Sequence, residues 1–491
     1  MSGGLVLGLG CGPHAVEPPT ELAEFCGSDE PVQLLSVGSD DYVARHTAGF
    51  QRVGDRWVLG YATYAPGTSH PSYDSGAIST TTIYSTGPCG EDPAAIGEGI
   101  DVVYDLETFD AVLMGCRTAT GDVLVLDAEG RASPRSLLSA VGCIVRPYAG
   151  GIVGVEREPG EAYGTLVFRP SISDPAIPAR VVLDGVAVPE TDPEHPLFPS
   201  LFFHASDRAV LVVTRAGELL SIDPRTGEHS VLRTAVRAFY ASTNGRWVLW
   251  QEGAPGTTRP EDPGTIRLLD RDSGEDVIED LGTVDFTRSH VSHDDMVLIE
   301  QPDESTRVVL LPSLQDLTVE PELFVSYRHA SGPLVLGTGD PSPGIALFGM
   351  EPESGDMWLI GDTTIWYPSI DGDLLLIDKH DEWDFDYWRT SVQGGEPELL
   401  AEHTYWPAFL SEGRLGAVRD IGANWHGELW IDDPETGEST LLDRRVFMSV
   451  LGPHQVLEGT GIDYPWPYGD DVVVWSVHDG NRSGLWAARV K

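Results

Sequence analysis

The chain has 491 residues, with 31 Lys and Arg against 77 Asp and Glu, and a formal net charge of −46. This balance argues against nucleic acid and against electrostatic docking on an anionic membrane, since both need a basic face. The hydrophobic fraction of 41% is enough for a large core, and 55 glycines with 36 prolines predict many short strands joined by turns.

An apolar, glycine-rich run at the start of the chain ends at Cys11. This run resembles the end of a bacterial lipoprotein signal peptide, in which the cysteine after the apolar stretch receives the lipid. The resemblance implies an exported protein of the cell envelope, attached to the membrane only through a lipid on Cys11, with residues 1–25 as signal remnant and linker. No basic residue precedes the run, and Gly8 stands where that family has leucine. An ordinary glycine-rich terminus is the alternative.

Four further cysteines lie in the first third of the chain: Cys26, Cys89, Cys116 and Cys143. An even number fits two disulfides in an exported protein, and the pairing stays open. No Cys-x-x-Cys pair or Cys/His cluster at ligand spacing accompanies them, so they do not predict a metal site. Four reduced thiols in a core is the alternative.

A polar turn followed by an apolar strand recurs along the chain. Its copies begin near residues 54, 109, 149, 206, 242, 292, 331, 369, 411 and 469. A second turn recurs within several of these units, with an acidic residue a few positions before a glycine, as at Gly227, Gly274, Gly355 and Gly437. Glycine there supplies the left-handed φ that closes a short hairpin. A unit of four short strands every 40–50 residues or so is typical of a β-propeller blade.

The unit that begins Ser369-Ile-Asp-Gly continues with Asp386-Tyr-Trp and Gly394-Gly-Glu-Pro. It resembles the TolB-type, WD-like propeller repeat, which runs Ser-Pro-Asp-Gly, an apolar strand, Asp-Ile-Tyr and Gly-Gly-Glu-Pro. The unit at Ser242 matches next best, and the others keep only the turns and the hydrophobic pattern. The repeat count and the resemblance together predict an all-β fold: a single closed β-propeller of eight to ten four-stranded blades, spanning residues 26–491. A strand at residues 31–36 would pair with the hairpin at 471–490 and remove the exposed edges of the ring.

Aligning the units places a set of aromatic and histidine residues two positions before each turn serine: His204, Tyr240, His290, His329, Tyr367 and Phe409. Equivalent positions in a ring face a common axis or lie between neighbouring blades. His204, His290 and His329 are therefore candidates for holding a metal ion or an anionic ligand. Ordinary packing between blades is the alternative.

An acidic run near residue 380 carries oxygen ligands at Asp378, Asp381, Asp384 and Asp386. Such ligands suit Ca²⁺, and calcium is the one cofactor for which the sequence gives a candidate site. The repeat places the run in a loop between two strands, where charges are ordinarily solvated.

Insertions interrupt the repeat at residues 62–79, 184–200, 253–264 and 453–468. The last of these holds Tyr464, Trp466 and Tyr468 between prolines, an arrangement that can present flat aromatic faces to a sugar or a peptide. Packing in a blade core is the alternative.

The nucleophile elbow Gly-x-Ser-x-Gly is missing from the sequence, and so are Gly-x-Gly-x-x-Gly and His-Glu-x-x-His. The sequence therefore favours a non-catalytic propeller that binds a protein or polysaccharide of the cell envelope. TolB-type propellers recognise peptides at the ring mouth, and the resemblance implies that mode of binding. The alternative is a glycoside hydrolase or lyase with paired carboxylates at the channel mouth.

Overall fold

A computed structural model describes most of the chain from residue 31 onward. The described residues are 31–36, 50–53, 56–64, 78–87, 89–100, 102–103, 112–117, 120–158, 161, 163–174, 177–188, 203–206, 208–253, 264–284, 286, 289–292, 296–301, 303–321, 323–328, 332–338, 344–363, 365–368, 373–380, 385–409, 414–421, 426–433, 436–451, 472–477 and 482–489.

The described elements are 39 strands and one short 3-10 turn, Val141–Cys143. The strands form ten successive four-stranded antiparallel units. Unit 1 holds β2 (Phe50–Val53), β3 (Arg56–Tyr64), β4 (Ile78–Thr86) and β5 (Ala94–Glu98). Unit 2 holds β6 (Val102–Val103), β7 (Met114–Arg117), β8 (Asp122–Val125) and β9 (Arg135–Ser139). Unit 3 holds β10 (Val145–Tyr148), β11 (Gly151–Glu156), β12 (Tyr163–Arg169) and β13 (Arg180–Ala187).

The middle of the chain continues this order. Unit 4 holds β14 (Phe203–Ser206), β15 (Ala209–Val213), β16 (Leu219–Ile222) and β17 (His229–Arg233). Unit 5 holds β18 (Val236–Ala241), β19 (Trp247–Glu252), β20 (Gly264–Asp270) and β21 (Glu275–Ile278), with β22 (Thr283–Val284) also paired to β20. Unit 6 holds β23 (Ser289–Ser292), β24 (Met296–Glu300), β25 (Thr306–Leu310) and β26 (Gln315–Val319). Unit 7 holds β27 (Leu323–Arg328), β28 (Leu334–Thr338), β29 (Ile345–Met350) and β30 (Met357–Thr363).

The last three units share one ten-stranded sheet. Its strands are β31 (Ile365–Pro368), β32 (Asp373–Lys379), β33 (Phe385–Ser391), β34 (Glu398–Phe409), β35 (Leu415–Arg419), β36 (His426–Asp433), β37 (Glu438–Leu451), β38 (Val472–Val477), β39 (Gly484–Arg489) and β1 (Val32–Ser36). The first part of β34 pairs with β33 and its second part with β35, and β37 divides in the same way between β36 and β38. Each long strand is therefore the fourth strand of one unit and the first strand of the next.

Residues with positive φ mark the passage from one unit to the next. His403 lies within β34 with a φ of 50°, and Arg445 lies within β37 with a φ of 69°. The corresponding junctions of separate sheets hold Gly99, Cys143 and Ala235 at 64°, 60° and 57°. The ten-stranded sheet is thus three copies of the same unit, joined by the turn that also joins the separate sheets. Eight of the ten predicted turn positions fall between the first and second strands of a unit, and the other two, residues 206 and 292, are the last residues of first strands.

The second predicted turn closes the third and fourth strands of its units. Gly227, Gly274, Gly355 and Gly437 have φ between 71° and 78°. Each donates its N–H to the carbonyl oxygen of the acidic residue four positions earlier, at 2.8 Å. The Asp223 carboxylate also accepts the N–H of Arg225 at 2.9 Å, so the leading acid caps the turn as the motif predicts.

The fourth strand of nearly every unit is paired irregularly with the third strand. The pairing of third with fourth strand contains a register shift in nine units, all except β25 with β26. A bulge increases local twist and interrupts the ladder, and this discourages another strand from adding to the edge.

The core lies mainly between units rather than inside them. One buried cluster joins Val153 and Phe168 of unit 3 to Val210 and Val212 of unit 4. Another joins Leu211 of unit 4 to residues of units 5 and 6. Alternate residues of β15 thus pack against opposite neighbours, as expected for a strand buried on both faces. The architecture is all-β and propeller-like.

β1 pairs antiparallel with β39, joining the beginning of the described chain to its end. The pairing that the sequence predicts for residues 31–36 is confirmed. Separately, no helix in the described parts of the chain is long and apolar enough to cross a membrane.

Candidate functional site

Four of the aligned residues occupy the same register in the first strands of their units. Each pairs with the third residue of its second strand: His204 with Leu211, Tyr240 with Leu249, His290 with Leu298 and Tyr367 with Leu375. Phe409 pairs instead with the first residue of β35, and His329 lies outside the described residues. The alignment therefore predicts structural equivalence at these four positions.

The equivalent position faces the next unit of the chain. Directly opposed residues of antiparallel strands share a face, so His204 faces the same way as Leu211, which packs against units 5 and 6. Tyr240 stacks on Phe286, with ring centroids 5.3 Å apart and planes 24° apart. Packing between units therefore accounts for Tyr240.

Arg146 occupies the same register in unit 3, because it pairs with Val153, the third residue of β11. Val153 belongs to the cluster between units 3 and 4, so Arg146 lies on the face that meets the unit of His204. The sequence alignment missed Arg146 because Tyr148 stands where other units have the turn serine. Extending the alignment to that turn would have found it.

Arg271 reaches the same region from unit 5. Its Nη1 donates to the Gly245 carbonyl oxygen at 2.7 Å, and its Nη2 donates to Ser221 Oγ at 3.1 Å. Ser221 pairs with Leu211, and Leu211 pairs with His204, so the three side chains form one row on the face of unit 4. Burial lowers the pKa of Arg271, and the charge of Arg208 lowers it further.

His204 is the titratable member of this group. Its Nε2 atom is buried and has no hydrogen-bond partner among the residues that the structure describes. Burial lowers the pKa of His204 from 6.5 to about 4, and the positive charges of Arg146 and Arg271 act in the same direction. His204 is therefore neutral at neutral pH, beside two guanidinium groups.

We expect the neutral state of His204 to make the fold sensitive to mild acid. Its folded pKa of about 4 lies below the unfolded value of 6.5, so the unfolded chain binds more protons between these values. The stability that neutral His204 contributes is complete above pH 6.5 and decreases as the pH falls towards 4, by about 3 kcal/mol in total. Urea unfolding at about pH 7 and at about pH 4.5 measures the free energy of unfolding at each pH. On acidification, His204→Gln should lose less of this free energy than the unsubstituted chain does.

The exposed His229 provides the control for this measurement. His229→Gln should lose as much stability on acidification as the unsubstituted chain does. If His204→Gln and His229→Gln lose the same free energy of unfolding on acidification, then His204 does not take up its proton mainly when the chain unfolds.

Units 3 to 5 are also electrostatically distinct from the rest of the chain. Residues 145–284, which span units 3 to 5, contain 13 arginines against 21 acidic residues, whereas the whole chain has 31 basic against 77 acidic residues. This sector is less acidic than the rest of the chain, so it repels an anionic ligand less.

The acidic run of the predicted calcium site is described only at its ends. Asp386 is bonded to two neighbours: its Oδ2 lies 2.8 Å from His380 Nε2, and its Oδ1 accepts the His403 N–H at 3.0 Å. Burial opposes the ionisation of Asp386, but these bonds outweigh it and hold its pKa below the ordinary value. Asp378 pairs with Asp386 across the strands, while Asp381 and Asp384 lie outside the described residues.

Among the described residues, no group of three or more His, Cys, Asp or Glu side chains is arranged to hold a metal ion. His290 lies in β23, and its side chain is outside the described part of the structure. Calcium and a histidine-bound metal stay predictions of the sequence.

Cys116 and Cys143 form a disulfide across 27 residues. It ties the second strand of unit 2 to the junction with unit 3, within the cluster that those units share. Cys89 is disulfide-bonded as well. Cys11, Cys26, Tyr464, Trp466 and Tyr468 lie outside the described residues.

Comparisons with known proteins do not assign the chain to a family. No protein-family model matches the chain, and no curated protein sequence matches it. Solved structures do match, including an oligogalacturonate lyase in complex with manganese, at 12% identity and a TM-score of 0.31, covering 77% of this chain and 96% of that one. A prolyl endopeptidase structure matches at 14% identity and a TM-score of 0.31, covering 68% of this chain and 54% of that one. The oligogalacturonate lyase of Vibrio parahaemolyticus matches at 13% identity and a TM-score of 0.26, covering 70% and 87%. Scores this low carry no argument about function.

Proposed function

We propose that the chain closes into a single β-propeller of ten TolB-like blades and acts as an exported binding protein of the cell envelope. Its ligand would be an envelope protein or polysaccharide. The observation that carries the binding role is that Arg146 and His204, a cation and a titratable group, occupy the register at which Tyr240 packs between units. A uniform scaffold that presents different side chains at equivalent positions is suited to recognition.

The pairing of β1 with β39 supports ring closure, because it completes unit 10 with a strand from the other end of the chain. Gly90, in the turn between β4 and β5, lies so close to β1 that a Cβ there would collide with the Gln33 carbonyl oxygen. The fourth strand of unit 10 therefore contacts the third-to-fourth strand turn of unit 1.

The same contact recurs between units that are neighbours in the chain. Arg180 of β13 donates to the Pro224 carbonyl oxygen in the corresponding turn of unit 4. Gln315 of β26 donates to the Pro352 carbonyl oxygen of unit 7 at 2.6 Å, and Trp358 of β30 donates to the Val392 carbonyl oxygen of unit 8 at 3.0 Å. Unit 10 thus meets unit 1 as successive units meet one another, which is what a closed ring requires.

Export is supported by the Cys116–Cys143 disulfide, because disulfides persist in oxidising compartments outside the cytoplasm. Lipid attachment at Cys11, a signal and linker segment at residues 1–25 and a propeller over residues 26–491 complete the proposal. In it, the channel mouth and the long insertions contact the ligand, since insertions escape the packing constraints of the repeat.

An array of envelope glycans and peptides, probed with the full chain, tests the binding role. We expect selective binding, weakened about tenfold by Tyr464→Ala/Trp466→Ala in the insertion at 453–468, because two stacked aromatic faces are lost. Tyr73→Ala, in a different insertion, is the matched control, and all variants should melt at the same temperature.

Two results would contradict the proposal. One is the lack of selective binding on the array. The other is release of shortened saccharides when the protein is incubated with envelope polysaccharides, which would identify the alternative, a glycoside hydrolase or lyase.

A further inference from the structure

We propose that β26, the fourth strand of unit 6, binds an extended basic segment of a partner protein, which adds to the sheet as a fifth strand. The inference goes beyond the proposed function, because it concerns the edge of one unit rather than the channel mouth and the insertions.

β26 differs from the other fourth strands in its pairing. It pairs with β25 over five successive residue pairs, from Thr306 with Val319 to Leu310 with Gln315, without a register shift. It lies at the edge of its sheet, and no further strand pairs with it among the described residues. In a regular antiparallel pair, alternate residues direct their N–H and C=O groups away from the partner strand. β26 therefore presents an uninterrupted row of backbone groups, which is what the addition of another strand requires.

A hydrogen bond and a shared cluster place β26 beside unit 7. Gln315 Nε2 donates to the Pro352 carbonyl oxygen, in the turn that leads into β30, at 2.6 Å. Leu317 of β26 packs in the same cluster as Phe348 and Met350 of β29. The fourth strand of unit 6 and the fourth strand of unit 7 are therefore neighbours.

β30 adds exposed apolar side chains to this surface. Met357 and Leu359 are 46% and 56% exposed. They pair with Met350 and Phe348, which lie in the cluster between units 6 and 7. Because directly opposed residues share a face, Met357 and Leu359 lie on the face of unit 7 that meets unit 6. The open edge of β26 and the two exposed side chains thus border one apolar surface, which the side chains of an added strand can cover.

The charge of this surface indicates which partner it fits. Residues 315–320 and 351–363 contain six acidic residues and no Lys or Arg, and all six acidic residues are exposed. Arg307 of β25 pairs with one of them, Asp316, at 2.6 Å. A basic segment is attracted to such a surface, whereas a second copy of this chain, with its net charge of −46, is repelled. The occupant is therefore an extended segment in which Lys or Arg alternates with apolar residues.

Fluorescence anisotropy with the full chain, at fixed ionic strength, tests the site. The probe is the labelled peptide Lys-Val-Lys-Val-Lys-Val-Lys. One control peptide, Lys-Val-Lys-Pro-Lys-Val-Lys, keeps the charge but lacks a backbone donor in its centre. The other, Glu-Val-Glu-Val-Glu-Val-Glu, keeps the strand pattern and reverses the charge. We expect the probe to bind and each control peptide to bind at least about tenfold more weakly.

A pair of double variants separates this edge from the other fourth strands. Met357→Ala/Leu359→Ala should weaken the probe about tenfold, because two apolar contacts are lost. Val181→Ala/Val231→Ala is the matched control, since it removes side chains that are 62% and 50% exposed from β13 and β17, whose pairing contains register shifts. It should bind the probe as the unsubstituted chain does, and all variants should melt at the same temperature.

Amide hydrogen exchange in the unsubstituted chain gives a readout that does not depend on any variant. The probe should slow exchange of the β26 amides, because the bound segment accepts hydrogen bonds from those that point away from β25. Exchange in β17 should not change.

Four results would overturn the site. They are failure of the probe to bind, equally tight binding of either control peptide, equal weakening by Val181→Ala/Val231→Ala, and unchanged exchange in β26 when the probe is bound. Sedimentation equilibrium of the chain alone provides a further check. A dimer that Met357→Ala/Leu359→Ala dissociates would show that a second copy of the chain occupies this edge, and the basic partner would then be rejected.

Discussion

Deleting residues 1–38 should lower the thermal unfolding midpoint by about 5 °C or more, whereas deleting residues 1–25 should leave it unchanged. Only the longer deletion removes β1, whose Leu34 and Leu35 are 1% and 4% exposed. Burial of two leucine side chains contributes about 3–6 kcal/mol. The deletion also bares the edge of β39, which pairs with β1 along its length. Scanning fluorimetry of both truncations measures the difference.

Leu34→Ala in the full chain separates the buried side chain from the strand itself. It should cost about 2–5 kcal/mol, because it leaves a cavity while β1 stays paired. Equal midpoints for the two truncations would show that β1 adds nothing to stability, and the proposed closure would then fail.

The sequence predicted the units well because each hairpin turn has a local chemical cause. Gly274 and Gly437 adopt the positive φ that their turns require, and acidic residues four positions earlier accept the closing bonds. The junctions between units were harder to predict. His403 and Arg445 adopt positive φ there without being glycine, so nothing in the local sequence shows that β34 and β37 each serve two units.

The candidate site was predicted only in part, for a related reason. The period of the repeat predicts which residues are equivalent, and His204 and Tyr240 are indeed in the same register. It does not predict which neighbour each side chain meets. Tyr240 meets Phe286, whereas His204 lies near two arginines. Arg271 comes from a turn in the next unit, and that contact depends on how the units pack.

Asp443 should be among the residues most sensitive to substitution in the last two units. It lies in β37, is 7% exposed and accepts hydrogen bonds from Trp475 Nε1 at 2.9 Å and from Arg482 Nη2 at 2.6 Å. Asp443→Ala leaves a buried indole N–H and a guanidinium without their acceptor, so we expect a loss of about 3–5 kcal/mol in the free energy of unfolding. Urea unfolding monitored by tryptophan fluorescence measures it. Asp316→Ala, which breaks the exposed pair with Arg307, is the control and should cost about 1 kcal/mol or less.

A double-mutant cycle shows whether the loss arises from the indole contact. Trp475 is fully buried in the cluster that joins units 9 and 10, so Asp443 bonds an indole held between two units. In a Trp475→Phe background no indole N–H is left unsatisfied, and Asp443→Ala should cost at least about 1 kcal/mol less than in the unsubstituted chain. If the two costs are equal, the Asp443–Trp475 bond does not stabilise this interface. In that case the effect of Asp443 comes from Arg482 alone, whose side chain is 42% exposed and can recover hydration when its partner is removed.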